Sequence, residues 1–111
     1  MTLASPTLPW DGEITASVVL TNDGDRSVEE VVQLYIRDRV ASLTRPGREL
    51  KDFKRVTVPA KGKLEVRFTL RRPQLEFVGA DLAFTVEPGE FDLWLAPDAQ
   101  SGEPARFALT R

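Results

Sequence analysis

The sequence predicts an all-β fold, a sandwich of two sheets built from about seven strands in an immunoglobulin-like layout. Three observations carry that expectation. Apolar and polar residues alternate at period two in several segments, most cleanly where Leu64, Val66, Phe68 and Leu70 interleave with Glu65, Arg67 and Thr69. Turn-forming clusters punctuate these segments at intervals of about 8–12 residues. The helical period of 3.6 residues is nearly absent.

The stretch from Glu30 to Val58 organises the rest. Within it a strand from about Val28 to Asp38 turns Val32, Leu34 and Ile36 to one face and Val31, Gln33 and Tyr35 to the other, because side chains alternate along an extended chain. Apolar residues on both faces imply a strand covered on two sides. Before it, residues 3–8 are short and interrupted by Pro6, so they form at most an edge strand. Trp10 then meets the turn signal Asp11-Gly12. From Glu13 to Thr21, Ile14, Ala16, Val18 and Leu20 face one way and Thr15, Ser17 and Thr21 the other, with Val19 the one apolar residue on the polar side. Asn22-Asp23-Gly24-Asp25 reverses the chain.

Residues 39–49 make a long connection with Pro46-Gly47 at its bend, a length that suits a crossing between two sheets better than a tight hairpin. Leu50, Phe53, Val56 and Val58 are the expected apolar anchors of the next segment. The spacing of the first three points to one helical turn, and the ending Val56-Thr57-Val58 to a strand. Residues 59–63 form a turn. Arg72-Pro73 ends the clean alternating strand, and a short helical turn is expected over residues 73–77, with Leu75 and Phe77 tucked under the sandwich. Residues 82–86 read as a strand and 87–90 as a turn. Phe91, Leu93 and Leu95 alternate with Asp92 and Trp94, residues 97–104 form a polar loop, and residues 105–110 close the sheet.

Composition narrows the function. With 111 residues the chain is expected to form one domain spanning residues 1–111. Its 41% hydrophobic and 29% charged residues are those of an ordinary globular protein. Fifteen basic against 17 acidic residues, a net charge of −2, is a poor basis for binding nucleic acid, which needs clustered positive charge. There is no cysteine for a disulfide and no histidine, which removes the commonest general base and the commonest zinc ligand. No apolar run reaches the roughly 18–20 residues that cross a bilayer, so no membrane partner is expected. The opening residues lack the basic and apolar regions of a secretory signal, which leaves the compartment open.

Several motifs carry a likeness. Asn22 to Gly24, Glu30-Val31-Val32-Gln33-Leu34-Tyr35, Ser42-Leu43-Thr44-Arg45-Pro46 and Glu49-Leu50-Lys51-Asp52-Phe53-Lys54-Arg55-Val56 follow one another at a characteristic spacing. Gly62, Phe68-Thr69-Leu70 and Val86-Glu87-Pro88-Gly89-Glu90-Phe91 continue it. From Leu3 to Leu95 the chain resembles the C-terminal fibronectin type III-like domain of family 3 glycoside hydrolases, the β-glucosidase and β-xylosidase family. It departs from that pattern at Val28 and Asp52, where the family often has glycine, and at Phe84, where it has tryptophan. The resemblance implies a non-catalytic accessory module that buttresses catalytic domains lying outside this chain. It implies no catalytic residue, no metal and no cofactor of its own.

The candidate functional residues are those of an interface. Tyr35, Leu43, Arg45, Pro46, Phe53 and Trp94 are expected to contact the catalytic domains of a parent glycoside hydrolase, with Arg45 able to fork onto a carboxylate. The bland alternative for the basic stretch from Arg37 to Arg55 is a solvated face, since Asp38, Glu49 and Asp52 dilute it. Trp10, Tyr35 and Trp94 could instead stack on sugar rings, which makes carbohydrate a second candidate partner. A free-standing interaction domain is a third reading, and a bare contact surface would permit weak self-association. Asn22, Asp23 and Asp25 could open a calcium loop, but no bidentate Glu follows at the expected position and a turn explains them.

Overall fold

Alternation at period two decides the architecture, since each strand can bury only one face and two such faces must meet. The structure is a computed structural model that describes residues 1–39, 48–75, 77–78, 84–85, 89–97 and 102–111. Its strands are β1 (Thr2–Leu3), β2 (Thr7–Pro9), β3 (Glu13–Asn22), β4 (Val28–Asp38), β5 (Glu49–Val58), β6 (Gly62–Arg71), β7 (Phe77–Val78), β8 (Phe84–Thr85), β9 (Gly89–Ala96) and β10 (Ala105–Thr110). One sheet has the order β1-β3-β6, the other β2-β10-β9-β4-β5, and β7 pairs with β8 alone. The two main sheets thus hold eight strands where about seven were expected. The extra one arises at Pro6, which splits the first segment so that β1 joins one sheet and β2 the other.

The core lies between the sheets. Ile14, Ala16, Val66, Phe68 and Leu70 line one side, and Val32, Leu34, Ile36, Phe91, Leu93, Phe107 and Leu109 the other. Phe91 and Phe107 face each other in register across β9 and β10, their rings stacked at 5.5 Å between centroids and 12° between planes. Burying each such side chain contributes roughly 1.5–3 kcal/mol. After β6 a 3₁₀ turn, Arg72–Leu75, drops Leu75 into the core as expected. The side chain of Phe77 lies outside the described residues.

Three expectations are corrected. The connection after β4 does not cross between sheets, because β4 and β5 pair antiparallel from Val28↔Val58 to Ile36↔Glu49 in the same sheet. Strand β5 has no helical turn: it is extended throughout, and a bulge sets Lys51 outside the register between the pairs Leu34↔Asp52 and Tyr35↔Leu50. An extra residue shifts the alternation by one, so Leu50 and Phe53, three apart, land on the same face. That face is the outer one, which leaves Leu50 and Phe53 exposed rather than anchored in the core. Gly89 and Glu90 belong to β9 and not to a turn, because Gly89 pairs with Leu109 and Glu90 with Ala108.

The crossings from β3 to β4 and from β5 to β6 are short turns, residues 23–27 and residues 59–61, and Asn22 ties them together. Its buried amide donates to the carbonyls of Arg26 (2.7 Å) and Val58 (3.3 Å), while its Oδ1 accepts the Gly24 N–H (2.9 Å). The Lys61 N–H reaches the Gly24 carbonyl at 3.0 Å. Lys61 takes a left-handed conformation (φ 54°), and a Cβ on Gly62 would come within 2.7 Å of Pro59 Cγ, so the turn admits little else at that position. Replacing Asn22 with alanine strands the buried Val58 carbonyl and two part-buried partners, the Arg26 carbonyl and the Gly24 N–H. The expected loss is about 2 kcal/mol, read as a lower urea midpoint with an unchanged slope.

Candidate functional site

The outer face of the five-stranded sheet collects residues that the core does not need. Register puts Tyr35 beside Trp94 of β9 and Leu50 of β5, and Gln33 beside Phe53. Tyr35 is buried although it points away from the core. The Arg48 guanidinium covers it, lying 5.0 Å from the Tyr35 ring centroid and 4.8 Å from that of Trp94. A planar cation over two aromatic faces is favourable and holds both rings in place. The Tyr35 hydroxyl donates to Gln33 Oε1. At the β5 border Phe53 is 62% exposed and Leu50 49%.

Towards the other end of the same face lies a charged network. Asp92, buried on β9, takes Arg39 Nη1 at 2.9 Å and Arg106 Nε at 3.7 Å. Glu90, two residues before it, sits 3.8 Å from Arg39 Nε and 3.9 Å from Arg106 Nη1. Asp92 accepts a hydrogen bond from Arg39, and both carboxylates are ion-paired with the two guanidiniums. Among the described residues no group of three or more His, Cys, Asp or Glu could hold a metal ion. Asn22, part of the calcium alternative, commits its side chain to backbone groups instead.

The structure brings three of the six expected interface residues, Tyr35, Phe53 and Trp94, onto this one face. Leu43, Arg45 and Pro46 lie outside the described residues. Sequence reasoning missed Arg48 as the cation over both rings and Leu50 as the exposed neighbour of Phe53. The bulge that exposes Leu50 shows in the sequence only as a three-residue spacing to Phe53, which reads as a helical turn. Trp10 lies elsewhere, with the guanidiniums of Arg72 and Arg111 at 4.2 and 4.4 Å from its ring.

Residues 30–99 match the fibronectin type III-like domain. The chain belongs to that family. The resemblance drawn from the motifs is upheld, because relatives of this fibronectin type III-like chain are β-glucosidases and β-xylosidases. A periplasmic beta-glucosidase of Salmonella typhimurium is 35% identical over 109 residues, which is 98% of this chain and 14% of the enzyme. A beta-xylosidase of Formosa agariphila is 34% identical over 108 residues, 97% of this chain and 15% of that one. Among solved structures, a β-glucosidase from Erythrobacter marinus superposes with a TM-score of 0.86 at 33% identity, over 98% of this chain and 14% of its own. A Listeria innocua beta-glucosidase in complex with gluconolactone gives 0.86 at 26% identity, over 98% and 15%. The chain spans only a small part of the length of these relatives.

The charged network sets a stability prediction. Asp92→Ala removes the buried carboxylate between two guanidiniums and leaves the more exposed Glu90 beside them. Because Arg39 and Arg106 stay 41% and 53% exposed, water takes up part of the loss. The expected cost is about 1–2 kcal/mol by urea unfolding, below the 3–5 kcal/mol of a fully buried pair.

Proposed function

We propose that this chain is a non-catalytic accessory module of a β-glucosidase-type polypeptide, docked against a catalytic domain through the outer face of its five-stranded sheet. The observation that carries the reading is the placement of Phe53 and Leu50, open to solvent, beside the ordered Tyr35–Arg48–Trp94 stack. Aromatic residues and arginine are the types enriched at protein interfaces, and exposed apolar area of this kind marks contact sites. The share of the chain in its relatives supports the same reading: nearly all of it aligns, with 14% of a beta-glucosidase. The charged residues of the outer face fit a supporting role. Glycoside hydrolysis uses two carboxylates held about 5–9.5 Å apart across the bond, one of them free to give a proton. Glu90 and Asp92 are both tied to arginines.

Sugar binding is the weaker reading. Stacking on a pyranose ring requires an open aromatic face, and Trp10, Tyr35 and Trp94 each carry a guanidinium within 4.2–5.0 Å of the ring centroid. Soluble glucans are expected to leave the tryptophan fluorescence of the purified chain unchanged.

Docking is tested by comparing two settings. In the chain alone, Phe53→Asp changes stability by no more than about 0.5 kcal/mol, the range of a surface substitution. In a β-glucosidase polypeptide that contains this domain, the same substitution buries a charge at the contact, so thermal stability and turnover fall together. An enzyme indifferent to the substitution overturns the reading, as does aryl β-glucoside cleavage that copurifies with the chain alone.

A further inference from the structure

We propose that the free edge of β6 is a strand-pairing surface for a second copy of this chain, held shut by Lys54. The sheets end in four edge strands of unequal quality. β1 is two residues long, β2 is three and includes Pro9, and β5 is interrupted by its bulge. β6 is ten residues long, regular, and among the described residues paired only with β3. An edge of that kind templates another strand unless something blocks it.

The backbone groups on the free edge can be assigned. The Thr15 carbonyl accepts the Ala4 N–H at 2.9 Å, so the polar groups of Thr15 face away from β6. Its register partner Thr69 must then turn its own N–H and C=O outward, and with it Lys63, Glu65, Arg67 and Arg71. Two of these groups are capped. The Arg71 N–H donates to Gln74 Oε1 at 2.8 Å, and the Arg67 carbonyl accepts Lys54 Nζ, which also lies 5.0 Å from the Phe68 ring centroid.

Among registers centred on residues 65–67, side chains favour one for self-pairing. With the two-fold axis at Val66, Glu65 of each copy stands opposite Arg67 of the other, and Lys63 opposite Thr69. Moving the axis to Glu65 or to Arg67 sets like charges against each other, which is destabilising. The favoured register pairs residues 62–70 with 70–62. The Gln74 cap on Arg71 falls outside that span, and the Lys54 cap on Arg67 falls within it. Lys54 alone of the two caps therefore stands where the second strand would lie.

The test measures the dimerisation constant by sedimentation and light scattering, reading movement from 12.4 kDa towards twice that mass. Lys54→Thr and Lys54→Ala each tighten dimerisation by about tenfold or more, equivalent to about 1.4 kcal/mol. Adding Glu65→Arg to Lys54→Thr abolishes the gain by setting Arg against Arg, and a further Arg67→Glu restores it. Unchanged association in both Lys54 variants, with circular dichroism intact, overturns the proposal. So does a dimer that survives Glu65→Arg, since its contact must lie elsewhere.

Discussion

The dry layer between the two sheets fixes everything else in this molecule. Phe68 and Val66 on the small sheet and Leu34, Phe91, Leu93 and Phe107 on the large one are fully or almost fully withdrawn from water. Residues at period two must supply that layer, so the intervening residues are turned outward whether or not solvent suits them. On β3 and β6 the outward set is hydroxyls and charges, with Val19 the apolar exception. On β4, β5 and β9 it includes tyrosine, phenylalanine, leucine and tryptophan, and there the protein has used arginine to cover part of what the fold leaves bare. Arg48 over two rings, and Arg72 with Arg111 at Trp10, repeat one solution: an amphipathic cation whose flat face suits an aromatic ring while its edges stay hydrated.

Much of this was legible because inner-face alternation is a strong signal wherever it runs unbroken. β3, β4 and β6 read directly from Ile14–Leu20, Val32–Ile36 and Leu64–Leu70, and the alternation of Phe91 and Leu93 gave the heart of β9. β5 misled for a physical reason. A bulge inserts one residue without changing composition, so Leu50 and Phe53 acquire the spacing of a helix while remaining on a strand. The connection of residues 39–49 misled through its length, because a long link is compatible with a crossing but also with a wide hairpin. The crossings from β3 to β4 and from β5 to β6 are short, and Asn22 ties them by supplying hydrogen bonds that the backbone of a tight turn cannot make for itself. At the outer face the residue types of Tyr35, Phe53 and Trp94 were informative. The role of Arg48 was not, since a single arginine in a basic stretch carries no mark of what it will cover.

The unequal edges of the sandwich follow from the same economy of strands. With three strands facing five, the small sheet cannot cover all of the large one, and β5 and β6, adjoining edges of the two, form one flank. A lysine suits that flank because its stem is apolar and its tip is charged, so it can lie over Phe68 and still satisfy a carbonyl. Bulge and lysine are two different means of discouraging strand addition, and this flank uses both.

The pairing of β2 with β10 has a mechanical meaning. It is parallel, Thr7 to Pro9 running alongside Ala108 to Thr110, whereas the other pairs within the two main sheets are antiparallel. Tension applied through the chain on either side would pull these two strands in opposite directions along their length. Their hydrogen bonds would then be loaded in shear and have to yield together, while an antiparallel pair pulled from one end can open like a zipper. A sandwich closed in this way can carry force along a polypeptide without coming undone.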